Sequence, residues 1–110
     1  MLVLLDESMP FLLTRDLPGH EATTVRRMGW SGLRNGELLR RAVSAGFEAL
    51  LTVDRSIPYQ QNVSRLGIAV IVLRARSNRL EDLLPLVPAV LDTLQNVKPG
   101  QVVEIGAETV

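Results

Sequence analysis

Two short runs constrain this chain more than anything else in it. Val3-Leu4-Leu5 leads into Asp6-Glu7, and Leu50-Leu51-Thr52-Val53 leads into Asp54. A run of about five residues, apolar at almost every position, is the pattern of a strand buried on both faces of a sheet. In open α/β sheets, ligands bind beyond the carboxyl ends of the strands. If the two runs are parallel neighbours, Asp6 and Asp54 emerge side by side at that edge. Two carboxylates converging there make a site for a hard divalent cation.

The rest of the chain alternates strand and helix signals. Ser8-Met9-Pro10 predicts a helix start, with Ser8 as cap and Pro10 in the first turn, running to about Asp16. Residues 17–20 form a turn, and the β-branched stretch 21–25 reads as a second strand. A loop with Gly29 and Gly32 follows. Asn35 then caps a helix running to about Ala45 and stopped by Gly46. Residues 48–53 are the third strand. Ser56-Ile57-Pro58 repeats the cap-then-proline pattern and predicts a short helix through Tyr59, Gln60 and Gln61. Residues 68–73 are the clearest buried strand. Asn78 followed by Glu81 is a capping-box arrangement. Leu80, Leu83, Leu84, Val87, Leu91 and Leu94 recur at helical spacing, but Pro85 and Pro88 predict a kink or two helices in series. Residues 101–105 are a last strand. This order predicts a mainly parallel five-stranded sheet with helices on both faces.

The 110 residues fit one domain, residues 1–110. With 12 Lys and Arg against 12 Asp and Glu, there is no global pull towards nucleic acid, so any such binding needs a local basic patch. No cysteine is present, which excludes disulfides, thiolate metal sites and a Cys nucleophile. That fits a cytoplasmic location. The first residues do not read as a signal peptide, because Asp6 and Glu7 interrupt the apolar run and no basic segment precedes it. No stretch approaches the roughly 18 apolar residues of a membrane span.

Asp6, Glu7, Glu37 and Asp54 are the candidates for a hydrolytic site using Mg²⁺ or Mn²⁺. Glu37 lies in the first turn of its helix, near the positive end of the dipole. It either adds a third carboxylate or pairs with Arg41 at i,i+4. Glu7 reads as solvated, and His20 as a surface histidine in a turn. Arg74, Arg76, Asn78 and Arg79 follow the strongest strand and are candidates for holding phosphate, with Arg26, Arg27 and Arg34 extending the patch. The alternative is that these arginines are solvated or pair with Glu81 and Asp82. Trp30 and Tyr59 offer base-stacking surfaces, although packing is the favoured role of Trp30.

Leu4-Leu5-Asp6-Glu7-Ser8-Met9-Pro10 resembles the L-L-D-E-N-L-P opening of a bacterial family of small PIN-like proteins, the DUF5615 family, relatives of PIN-domain nucleases. Leu51-Thr52-Val53-Asp54-Arg55 resembles the second signature of that family, a strand ending in T-x-D. Gly36-Glu37-Leu38-Leu39 resembles its intervening acidic helix. The resemblance covers roughly residues 1–95. It implies a Rossmann-like three-layer α/β/α sandwich with strand order 3-2-1-4-5, and three or four acidic residues around Mg²⁺ or Mn²⁺ that cleave RNA. It also implies a place among the toxins of toxin–antitoxin pairs, with a small antitoxin-like protein as partner. Asp6 and Asp54 match the first and third acidic positions. Related sequences usually carry Asp where Asn35 aligns, with Glu37 two residues on as the available substitute. No fourth acidic residue stands directly after Leu73, where Asn78 lies among Arg74, Arg76 and Arg79. These departures imply the alternative of a catalytically inactive PIN-like module acting through a protein partner or RNA. The apolar segment 83–94 exceeds one helix face and suggests a homodimer interface. A phosphotransfer receiver also places acids at strand ends, but it needs a late strand ending in lysine, and Lys98 is the only lysine.

Overall fold

Strands buried on both faces must be covered on both faces, and the chain does this with helical layers above and below one sheet. The computed structural model describes residues 1–57 and 62–106. Its strands are β1 (Leu2–Leu5), β2 (Glu21–Thr24), β3 (Ala49–Thr52), β4 (Ala69–Leu73) and β5 (Val102–Ile105), and every pairing is parallel. The helices are α1 (Asn35–Ser44), α2 (Val63–Leu66), α3 (Leu80–Leu83) and α4 (Val87–Asn96). Two 3-10 segments, Phe11–Asp16 and Leu84–Leu86, complete the described elements.

Successive strand residues point to opposite faces. Val3, Leu5, Leu51, Ile71 and Leu73 pack against the first 3-10 segment, α3 and α4, which contribute Leu13, Leu83, Val90 and Leu94. Leu4, Leu50, Val70 and Val72 pack against Leu38, Leu39 and Ala42 of α1 and Val63 of α2. The result is a three-layer α/β/α sandwich with two separate apolar layers, as the alternation of strand and helix signals predicts.

The strand order is 2-1-3-4-5, not the 3-2-1-4-5 that the resemblance implies. The physical reason lies in β2. Its sequence, Glu21-Ala22-Thr23-Thr24, begins with an exposed carboxylate and is only partly buried, so it serves as an edge strand and not an interior one. With β2 at the edge, β3 pairs with the other side of β1, matching Val3 with Ala49 and Leu5 with Leu51. β3 and β4 are buried at every position and sit inside the sheet. The direction of strand addition reverses at β1, and the crevice at such a switch point is where doubly wound sheets bind ligands.

Three local expectations are corrected. After Ser8, the chain makes a turn in which the Met9 N–H bonds the Asp6 carbonyl, and only the 3-10 segment after Pro10 is helical. Pro10 is extended, with ψ 131, so no helix starts before Phe11. Arg34, not Asn35, occupies the cap position of α1, and the Asn35 side chain has another use described below. The Asn78–Glu81 capping box does not form. Ser77 accepts the Arg79 N–H and donates its hydroxyl to Asp82. The two prolines act as expected, dividing the 80–96 stretch into α3, a 3-10 turn and α4. The short helix expected through Tyr59, Gln60 and Gln61 lies outside the described residues. Among the described residues, no helix is long and apolar enough to cross a membrane.

Candidate functional site

All five strands are parallel, so the segments after β1, β3 and β4 leave the sheet at the same edge. Asp6 follows β1 directly, and its N–H continues the ladder to the Leu51 carbonyl at 2.9 Å. The ladder therefore carries Asp6 to the sheet edge on a rigid support. Asp54 follows β3 by two residues.

Thr52, the last residue of β3, joins the two acids. It is fully buried, and a buried hydroxyl needs partners. Its Oγ1 donates to Asp6 Oδ2 at 2.7 Å and accepts the Asp54 N–H at 3.0 Å. The other Asp6 oxygen, Oδ1, accepts the Glu7 N–H at 2.7 Å. Thr52→Val keeps the side-chain shape and removes both bonds of the hydroxyl. We expect a loss of about 1–3 kcal/mol in urea-measured stability, the cost of leaving buried partners unmet. A loss within experimental error would mean that water replaces both bonds.

Asp54 is held from the other side. Its Oδ1 accepts the Ser56 N–H at 2.8 Å and also the Ser56 hydroxyl, a local Asx turn reinforced by the side chain. The Asn35 amide adds a further hydrogen bond to this carboxylate. The Ser56 hydroxyl, the Ser56 backbone and Asn35 hold the Asp54 carboxyl below its ordinary value, against a smaller upward push from burial. A depressed value in the folded state makes the ionised carboxylate stabilising above the ordinary aspartate pKa of about 3.9. That contribution is lost as pH falls through the depressed value. Ser56→Ala removes the largest cause, so the Asp54 carboxyl should titrate at a higher pH, as read from its side-chain NMR signal. An unmoved midpoint would assign the shift to the backbone bond.

The remaining candidates divide. Asn35 is brought to the site, on the first turn of α1, and stands where a third carboxylate would face Asp54. Glu37 pairs within its own helix. It makes ion pairs with Arg41 at 3.2 Å and Arg40 at 3.7 Å on the exposed side of α1. Among the described residues, no three His, Asp or Glu side chains form a metal-binding group. Glu7 is exposed and accepts the Gly32 N–H at 3.1 Å, tying the loop before α1 to the β1 end.

After β4, Arg74 pairs with Glu104 of β5 at 3.1 Å. Asn78 donates its amide to the Ser8 carbonyl at 2.7 Å, so it ties the loop after β4 to the loop after β1. Arg76 and Arg79 are exposed at this edge. Trp30 packs edge-on against Phe47, with ring centroids 6.0 Å apart, and belongs to the α1 layer. Lys98 precedes β5 and so lies at the opposite edge from Asp6 and Asp54, which removes the lysine that a phosphotransfer receiver needs.

The Thr52 link was the part of the site that sequence reasoning missed. A threonine inside an otherwise apolar strand, two residues before an Asp, is the signal that points to it. Fold and site together define a doubly wound parallel α/β protein with a hydroxyl-linked acidic pair at its switch point. No protein-family model matches this chain, and no curated protein or solved structure matches it.

Proposed function

We propose that Asp6 and Asp54 hold one Mg²⁺ or Mn²⁺ ion and that the protein is a metal-dependent ribonuclease of the PIN-like class its motifs resemble. The observation that carries this reading is the Thr52 hydroxyl, which bonds the Asp6 carboxylate and the Asp54 backbone N–H and so ties the two residues together at the switch point. The donor set fits the ion. Both groups are hard oxygen ligands, and such ions are commonly bound by one or two carboxylates with water and substrate phosphate filling the other positions. When bound, the ion supplies positive charge to the phosphoryl oxygens and lowers the pKa of a coordinated water. The chain orients the acids through Thr52 and Ser56. Arg76 and Arg79, with Asn78 between them, offer donors to the phosphate backbone at the same edge. Arg74 is paired with Glu104, which offsets its charge.

A role as the toxin of a toxin–antitoxin pair, held in check in the cytoplasm by a small antitoxin-like protein, belongs to the same reading. A homodimer formed through the apolar segment 83–94 belongs to the alternative of a module without catalysis.

The test is Mn²⁺ binding by calorimetry on the wild type and on the double substitution Asp6→Asn, Asp54→Asn. Saturable binding that the double substitution abolishes is the expected result. Cleavage of RNA should be lost in Asp54→Asn with the fold intact, and unchanged cleavage would sink the nuclease reading.

Two observations favour a second reading, a PIN-like module without catalysis that binds RNA or a protein. Asn35 donates to Asp54 where a carboxylate would be expected, and Glu37 is committed to Arg40 and Arg41. Absence of Mn²⁺ binding in the wild type selects it.

A further inference from the structure

β2 is an edge strand, and its outer side is open. The Glu21 and Val25 N–H groups bond the Met1 and Leu5 carbonyls, so the odd-numbered residues turn their backbone towards β1. Alternation then turns the N–H groups of Ala22 and Thr24 outward. The Thr24 carbonyl is already taken by the Met28 N–H, whereas that of Ala22 faces the open side.

Two adjoining cavities border this edge, and Thr14, Ala22, Thr23 and Arg27 line both. One, of about 890 Å³, lies against the first 3-10 segment and is walled by Phe11, Met9 and Arg26. The other, of about 720 Å³, extends from Thr14 and Arg15 of the same 3-10 segment to Ala45 and Phe47, with Arg27 between. Phe11 is 67% exposed, the highest value among the exposed large apolar residues described. Among the described residues, Arg15, Arg26 and Arg27 make no ion pair.

We propose that the free edge of β2 docks an extended, acidic segment of a partner protein, which joins the sheet as a sixth strand. Strand addition matches the alternating backbone groups of the edge, which a nucleic acid does not. The side chains of an added strand project alternately to the two sides of the edge, where these cavities open. Apolar side chains then meet Phe11 and Met9, and acidic ones meet the unpaired arginines. Glu7 and Glu21 also line these cavities, so the acidic side chains of the segment must sit beside the arginines and its apolar ones beside these two carboxylates. This surface is separate from the Asp6–Thr52–Asp54 network, and the inference stands whether or not a metal binds there.

The probe is a capped heptapeptide in which valine alternates with glutamate, titrated into the full chain and followed by amide NMR. Saturable binding is expected, with slowed exchange of the Ala22 and Thr24 amide protons. The double substitution Arg26→Glu, Arg27→Glu should weaken binding by about tenfold or more, since it reverses the charge complementarity. Phe11→Ala, an exposed change that leaves the core intact, should weaken binding too. A peptide N-methylated at alternate amides should not bind. Absence of saturable binding, binding without protection of Ala22 and Thr24, or equal binding of the N-methylated peptide overturns the proposal. Tighter binding of an oligouridine than of the peptide overturns it as well, and assigns the edge to nucleic acid.

Discussion

Leu50→Ala should destabilise the protein by about 2–5 kcal/mol, the cost of lost apolar transfer plus a cavity that neighbours fill only in part. Leu50 is fully buried in β3, the central strand of the sheet, beneath Leu38, Leu39 and Ala42 of α1. It is flanked by β1 on one side and β4 on the other, so the backbone cannot collapse into the space. A single domain of this size has about 5–15 kcal/mol of stability in total, so the variant should approach the unfolding threshold. Urea denaturation measures the loss directly, with an unchanged slope against denaturant showing that the unfolded state is unaltered. Val43→Ala is the control. Val43 is 38% exposed on α1, and alanine is the better helix former, so this change should be neutral or slightly stabilising. Equal losses in the two variants would contradict the layered core.

Asn35→Asp should change metal binding more than any other single substitution that adds a charge. The side chain at this position already reaches the Asp54 carboxylate. An aspartate there removes a hydrogen-bond donor and places a third negative charge beside the pair. Without metal, like charges at this distance disfavour one another, so Asp54 should titrate higher and the fold should lose about 1 kcal/mol at neutral pH. With Mn²⁺ the sign reverses, because the added charge attracts the cation. Even at surface-like screening, a unit charge pair near 4 Å is worth about 4 kcal/mol before desolvation, so a tenfold gain in affinity is a modest expectation. Calorimetry on Asn35→Asp, with and without Asp54→Asn, tests this as a double-mutant cycle. The gain should shrink when Asp54 is lost. An affinity unchanged in Asn35→Asp would mean that residue 35 does not reach the ion, and the metal reading would lose its geometry.

Strands, helices and the two acids at strand ends were legible in the sequence. The apolar runs at 3–5, 50–53 and 68–73 encode burial on both faces without reference to distant residues. The prolines at 85 and 88 likewise encode the break between α3 and α4, since a missing N–H acts within a single turn. The polarity of Glu21 and the two threonines after it also marks β2 as an edge, which in hindsight points to the 2-1-3-4-5 order.

Pairings across the chain were decided elsewhere. Thr52 and Asp6 are 46 residues apart, and only the register of β3 on β1 brings the hydroxyl to the carboxylate. Asn35 read as a helix cap because that is the local use of its amide. Once α1 is docked, a carboxylate lies within reach, and a hydrogen bond to a charged group outweighs one to a backbone amide. Glu37 illustrates the reverse, since its side chain keeps its local partners three and four residues on, Arg40 and Arg41. The sequence by itself determined which segments are strands, which positions are core and which acids stand at strand ends, because burial and backbone propensity are local. The tertiary structure alone decided which of those acids meet and what links them, because a side chain's partner depends on strand order and register.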